Sequence, residues 1–145
     1  MKSKNAGLYI HIPFCRSKCP YCDFYSLRLD ESAANVYTDT LIHRIPALAA
    51  KYNITADTVY IGGGTPTTLE PEELERLFLK LQNTLDWSQV REFTVEAGRA
   101  DSITAEKLRV MKRYGVTRIS VNPQTMKQET LDLIGRRHTV AQTGE

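Results

Sequence analysis

Four short extended runs, each followed by a stretch with helical spacing, restrict this chain more than any other feature. Leu8-Tyr9-Ile10-His11-Ile12 alternates apolar and mixed residues and stops at Pro13, which suits a strand. Tyr37, Leu41, Ile45, Leu48 and Tyr52 then recur at steps of four and three, the spacing of one buried helix face, and Pro46 is expected to kink or break that helix. Thr58-Val59-Tyr60-Ile61 is the second strand, and Pro71 opens a helix whose face is Leu74, Leu77, Phe78 and Leu81. Glu92-Phe93-Thr94-Val95-Glu96 is the third strand. After it Thr104 is an N-cap, with Ile103 and Leu108 placed as a hydrophobic staple and Gly115 as the C′ residue. Thr117 to Val121 gives a fourth strand and Leu131 to Ile134 a short helix. The alternation predicts an α/β fold of about four parallel βα units with right-handed crossovers.

No low-complexity linker interrupts the 145 residues, so one domain is expected, long enough to remove roughly 70% of its unfolded surface from water. The net charge of +2 is too mild to imply a nucleic-acid partner. No apolar run reaches membrane-spanning length, and Met1 to Gly7 lacks the apolar core of an export signal, so a cytoplasmic location is expected. The basic run Gly135-Arg136-Arg137-His138 reads as a solvated helix end.

Every chemically suggestive cluster falls directly after a strand. The cysteine loop follows the first, Gly62-Gly63-Gly64-Thr65 the second, Glu96 closes the third, and Gln124 follows the fourth. In a parallel sheet these points share one edge, where βα folds build their sites.

All three cysteines lie in HIPFCRSKCPYC, with the spacing C-x3-C-x2-C, on a loop because Pro13 and Pro20 break any helix. An odd, clustered set argues for a metal site over a disulfide framework. A structural zinc needs four ligands, and only His11 is near enough in sequence to be the fourth; it reads rather as a strand residue or a partner of a ligand than as a ligand itself. Three merely buried thiols would need no fixed spacing. A [4Fe-4S] cluster held by three thiolates keeps one iron open to a small molecule.

The remaining candidates each carry a plainer alternative. The glycine triplet lets backbone groups approach a ligand or simply makes a tight turn, and it lacks the phosphate-loop pattern. Glu96 is an acceptor for an ammonium or hydroxyl, or a solvated strand end. Gln124 is a ligand group or a turn residue. Arg136 grips a carboxylate, or only complements a helix end. Tyr9 and Tyr21 are ligand-facing or packing aromatics.

C-x3-C-x2-C with Tyr21 before its last cysteine resembles the signature of the radical S-adenosylmethionine (SAM) superfamily. LYIHIPFCRSKCPYCDFYS, VYIGGGTPTTL, FTVEAG and RISVNPQT with LDLIGRRHT occur in the order found in its oxygen-independent coproporphyrinogen III oxidase family, which includes the haem chaperones. The resemblance implies a partial (βα) barrel of the radical SAM type, with residues 1–145 as the N-terminal portion of the core domain and further βα units and a C-terminal domain beyond it. It implies a [4Fe-4S] cluster on Cys15, Cys19 and Cys22, and SAM cleaved reductively to a 5′-deoxyadenosyl radical. Tyr9, Gly63 and Glu96 would face a first SAM; Tyr21, Gly64, Thr65, Gln124 and Arg136 match positions that contact a second. The implied activity is oxidative decarboxylation of coproporphyrinogen III in porphyrin biosynthesis, with an electron-donor protein and a porphyrinogen or haem as partners.

Phe24 stands where the decarboxylating oxidases usually carry a further cysteine, and Cys22-Asp23-Phe24 resembles the haem-chaperone branch. EAGR, at residues 96–99, resembles a third, oxidase-like branch, where it replaces a more common glutamate-x-asparagine-proline. A haem chaperone without decarboxylase activity and an inactive half-barrel are the alternatives.

Overall fold

The computed structural model describes residues 4–143; the first three residues of the amino-terminal stretch read above for an export signal lie outside that range. Four strands form one sheet in the order β1 (Lys4–Ile12), β4 (Ile54–Gly63), β5 (Glu92–Ala97), β6 (Arg118–Val121), all parallel. β1 and β4 are longer toward their starts than the sequence suggested, while β5 begins at Glu92 as expected and β6 one residue later than expected. β1 begins at Lys4 and pairs with β4 from Ile54, with a bulge between Ala6 and Gly7.

The helices α1 (Glu31–Tyr52), α2 (Pro71–Thr84) and α3 (Ala105–Arg113) connect the strands. Ile10, Ile12, Val59, Ile61, Phe93 and Val95 point to one face of the sheet and are buried with Leu74, Leu77, Phe78 and Leu81 of α2 and Val110 and Met111 of α3. Phe78 meets Phe93 edge to face at 5.1 Å. The alternate residues Tyr9, His11, Tyr60, Thr94 and Glu96 lie on the other face, the period-2 consequence of a pleated strand.

Helix signals were read correctly where they were local. Pro71 is the first residue of α2, and Glu73 Oε2 accepts from the Glu70 N–H to close its first turn. Thr104 caps α3 by accepting from the Lys107 N–H. Gly115 follows with φ +72, its N–H on Lys112 O and the Val116 N–H on Met111 O, a Schellman ending.

At α1 two readings are corrected, the break at Pro46 and the extent of the buried face. The helix runs through Pro46 to Tyr52 without a break. Its halves are both anchored, since Ala34, Thr38 and Ile45 are buried and Ile42 and Ala49 pack on the core, so tertiary contacts outweigh the lost backbone bond. Leu48 and Tyr52 are exposed, so they leave the buried face that Tyr37, Leu41 and Ile45 share.

A small parallel pair absent from the sequence reading joins β2 (Phe14–Cys15) to β3 (Leu27–Arg28). Leu27 and Leu29 donate to Pro13 O and Cys15 O, so both ends of the cysteine loop are clasped together. The short helices α4 (Gln128–Leu133) and α5 (Val140–Thr143) follow β6. No helix among the described residues is long and apolar enough to cross a membrane.

Candidate functional site

The carboxyl ends of the strands surround a cavity of about 570 Å³. Cys15, Cys19, Cys22, Tyr21, Gly63, Gly64, Thr65, Glu96, Gln124 and Arg136 all line it, so ten of the eleven residues singled out from sequence are brought together. Tyr9 is the exception. It stands half exposed on the polar face of the sheet, its ring stacked on Tyr60 and its hydroxyl 2.9 Å from His11 Nδ1. Burial pushes the Tyr9 phenol up, and the Glu96 carboxylate adds to that.

The glycine turn is explained first by its own packing. Gly63 has φ +117, a conformation L side chains rarely adopt. A Cβ on Gly64 would sit 2.7 Å from Phe14 O, so only glycine lets the turn lie against the strand that carries Cys15. The N–H groups of Gly63, Gly64 and Thr65 are taken by Glu96 Oε2, Ile12 O and Phe14 O, at 3.2, 2.8 and 2.8 Å. The turn therefore offers a ligand no free backbone donor from these three residues; carbonyl oxygens are the backbone's remaining contribution.

The same turn holds the first thiol, because the buried Thr65 hydroxyl is 3.4 Å from Cys15 Sγ. Cys15 and Cys19 are buried, Cys22 is partly so, and all three are free. The Cys22 N–H donates to Cys19 O at 3.0 Å, which sets a turn through Pro20 and Tyr21. No group of three or more His, Cys, Asp or Glu among the described residues is gathered as a single metal ion requires.

His11 is unsuited to be a fourth ligand. Its Nε2 is 2.9 Å from Tyr25 O, which can only accept, so that nitrogen carries the proton and Nδ1 accepts from the Tyr9 hydroxyl. Both ring nitrogens are thereby engaged.

Glu96 is held against the glycine turn through Gly63, as an acceptor and not as a loose strand end. Gln124 is both things its sequence context allowed: with φ +65 and its N–H on Asn122 Oδ1 it makes an Asx-type turn, and it lines the cavity.

The basic run after α4 is only in part the solvated helix end read from sequence: Gly135 and Arg137 are exposed, while Arg136 is half-buried and His138 is buried. Gly135, at φ +70, donates to Asp132 O and the Arg136 N–H donates to Leu131 O, a Schellman ending that turns the chain back on itself. Arg136 is carried to the cavity, where Nε donates to the Tyr21 hydroxyl and Nη1 to Gly98 O, each at 3.0 Å. Burial raises the Tyr21 phenol pKa and the Arg136 hydrogen bond opposes that. His138 is buried, with Nε2 3.3 Å from Pro123 O.

Arg99 was missed as a site residue. Only 5% exposed, it lines the cavity and donates to Ser17 O at 2.6 Å, Ser17 Oγ at 3.1 Å and Cys19 Sγ at 3.0 Å. The signal was present in the arginine of EAGR, a departure from the commoner pattern that was read only as a mark of branch.

Comparison with known proteins bears on the family and the fold. The chain is 41% identical over 145 residues to the oxygen-independent coproporphyrinogen-III oxidase-like protein HemZ of Bacillus subtilis, covering 96% of this chain and 29% of that one. It is 37% identical over 142 residues to the heme chaperone HemW of Lactococcus lactis, covering 98% and 36%. The structure of coproporphyrinogen III oxidase (HemN) from Escherichia coli, described as a radical SAM enzyme, superposes with a TM-score of 0.84 at 26% identity, over 94% of this chain and 32% of that one. The chain thus spans about a third of the length of these relatives. The family model of the radical SAM superfamily matches residues 9–143, so a parallel sheet carrying three clustered thiols and a glycine turn at one edge has its explanation: the chain belongs to the radical SAM superfamily.

Proposed function

We propose that this chain is the cluster- and SAM-binding part of a radical SAM protein of the oxygen-independent coproporphyrinogen III oxidase type, acting on a porphyrinogen. The observation that carries the proposal is the convergence of Cys15, Cys19 and Cys22 with Gly63, Gly64, Glu96, Gln124 and Arg136 on one cavity. Three free thiols suit a [4Fe-4S] cluster, whose separate irons each take one thiolate, so the thiols need not meet at one point. When bound, the cluster supplies the electron for reductive cleavage of SAM.

The chain's own groups complement the amino-acid end of such a ligand. Glu96 and the carbonyls of the glycine turn present only acceptors, the partners an ammonium needs. Arg136 presents a guanidinium whose fork matches a carboxylate, steadied by Tyr21 and Gly98 O. Thr65 acts through Cys15, Gln124 closes the rim, and Tyr9 faces the space beside Glu96 from the sheet.

A haem chaperone without decarboxylation is the second reading. Phe24, 71% exposed and on the cavity wall, occupies the place of the oxidases' further cysteine, and heme chaperones are among the relatives. Anaerobic incubation of the whole protein with iron, sulfide, SAM, a reductant and coproporphyrinogen separates the two. The oxidase reading expects 5′-deoxyadenosine and a vinyl product, both abolished by Cys22→Ala. Haem transfer with no vinyl product would establish the chaperone instead, and a protein that takes up zinc but no iron and sulfide would sink both.

A further inference from the structure

Arg99 is a buried cation to which none of the ion pairs among the described residues gives a carboxylate. A guanidinium cannot shed its proton in a protein, and a buried charge is destabilising unless an anion faces it. The cavity does not supply that anion from carboxylates: Lys18, Arg99 and Arg136 line it against only Asp23 and Glu96, and neither of these forms an ion pair with Arg99. The atom Arg99 does reach is Cys19 Sγ, 3.0 Å from Nη2.

The guanidinium is also built into place. Its other donor contacts clasp Ser17 Oγ and Ser17 O, two residues before Cys19. Behind it, Arg99 O accepts from the Ser102 hydroxyl at 2.7 Å, Ser102 Oγ meets Thr67 Oγ1, and Thr67 O accepts from Lys107 Nζ at 2.8 Å. Every member of that chain is buried, so the arginine is held from the sheet side while its tip holds the cysteine loop.

We propose that Arg99 is the countercharge and hydrogen-bond donor to the Cys19 thiolate of the iron–sulfur site, and that it sets the reduction potential there. This rests on the reading that the three cysteines hold the cluster. A [4Fe-4S] core on three thiolates carries one negative charge in its oxidised state and two after reduction. The added electron comes from an external one-electron donor; no bond is made or broken and no proton moves. A fixed cation with an N–H on a ligating sulfur stabilises the more negative state and so raises the potential. Arg99 is thus a positioning and tuning residue and touches no substrate.

The test is a potentiometric titration of the anaerobically reconstituted full chain with dithionite, without SAM, read by electron paramagnetic resonance, alongside iron and sulfide content. Arg99→Met removes charge and donors at similar length. It is expected to keep its iron and to show a reduced-to-oxidised ratio tenfold lower at a fixed potential, which is a fall of about 59 mV in midpoint for one electron. Arg99→Lys keeps the charge and loses the fork, so its midpoint falls less. Ser17→Ala loosens the clasp but spares the sulfur contact, and its midpoint stays that of the unaltered chain. Equal potentials for Arg99→Met and the unaltered chain overturn the proposal. A fall in Ser17→Ala as large as in Arg99→Met overturns it too, as does loss of iron from both arginine variants, which would make Arg99 a structural clamp. An unaltered chain that takes up no iron is a different failure, that of the cluster reading itself.

Discussion

Two regions of this molecule are equally dry and are held together by different physics. Beneath α2 and α3, Val59, Ile61, Phe93 and Val95 meet Leu74, Leu77, Phe78, Leu81 and Met111, a core without a polar side chain among those named. Beneath the cysteine loop, Thr65, Thr67, Thr68, Arg99, Ser102 and Lys107 are also buried, and each of their side chains makes a directed hydrogen bond. Dispersion and area burial are non-directional, so the first region tolerates repacking in a graded way. The second must satisfy each donor and acceptor or lose the full cost of desolvating it, which is why it can fix atoms at the site.

The comparison breaks most visibly at Phe78. It is fully buried and packs edge to face on Phe93, so Phe78→Ala should cost about 3–5 kcal/mol in urea unfolding by removing area and leaving a cavity. That variant is expected to unfold the sheet and the site together. If unfolding stability drops by less than about 1 kcal/mol, the apolar region is not what holds the sheet.

A smaller and more local effect is expected in the polar region. Thr67→Val keeps the shape and removes the hydroxyl that meets Ser102, which retains only its bond to Arg99 O, a loss of about 0.5–1.5 kcal/mol. Gly64→Ala places a methyl against Phe14 O and should cost more than about 1 kcal/mol. Both should lower the iron content of reconstituted protein more than Phe78→Leu does at matched stability. Equal iron loss at equal stability would mean the two regions do not differ in what they fix.

The same division explains what could be read before the fold was known. The apolar region announces itself by period: Leu74, Leu77, Phe78 and Leu81 share a face at helical spacing, and Pro71, Thr104 and Gly115 act through contacts a few residues away. The fold class follows from these local signals. The site was readable where a motif is compact, as in the cysteines and the glycine triplet. At Arg99 the residue type alone hinted at a role, since its partners Ser17 and Cys19 lie some eighty residues earlier, and the turn after α4 that brings Arg136 to Tyr21 and Gly98 O and buries His138 gave no local signal. Unbroken α1 is a similar case, since the contacts that carry it through Pro46 come from other elements.

The smallest effect is the most diagnostic, and it concerns Lys107. This side chain is 1% exposed, its ammonium donates to Thr67 O, and burial lowers its pKa below the ordinary 10.5; Arg16 adds to that lowering, while Glu70 and Glu73 oppose it. In the unfolded chain the amine regains its ordinary value, so between the folded value and 10.5 the unfolded state binds more protons. Stability from this group therefore rises with pH across that window, and below the folded value the cost of burying the charge is constant. Lys107→Met removes the titration and leaves Thr67 O without its donor, a loss of about 1–3 kcal/mol that relief of the buried charge partly offsets near neutral pH. Urea melts at stepped pH from neutrality toward 10.5 should then show the unaltered chain gaining on Lys107→Met as pH rises. A constant gap would mean that the amine titrates alike in both states, and that the polar region is wet enough at α3 to erase the contrast with the apolar one.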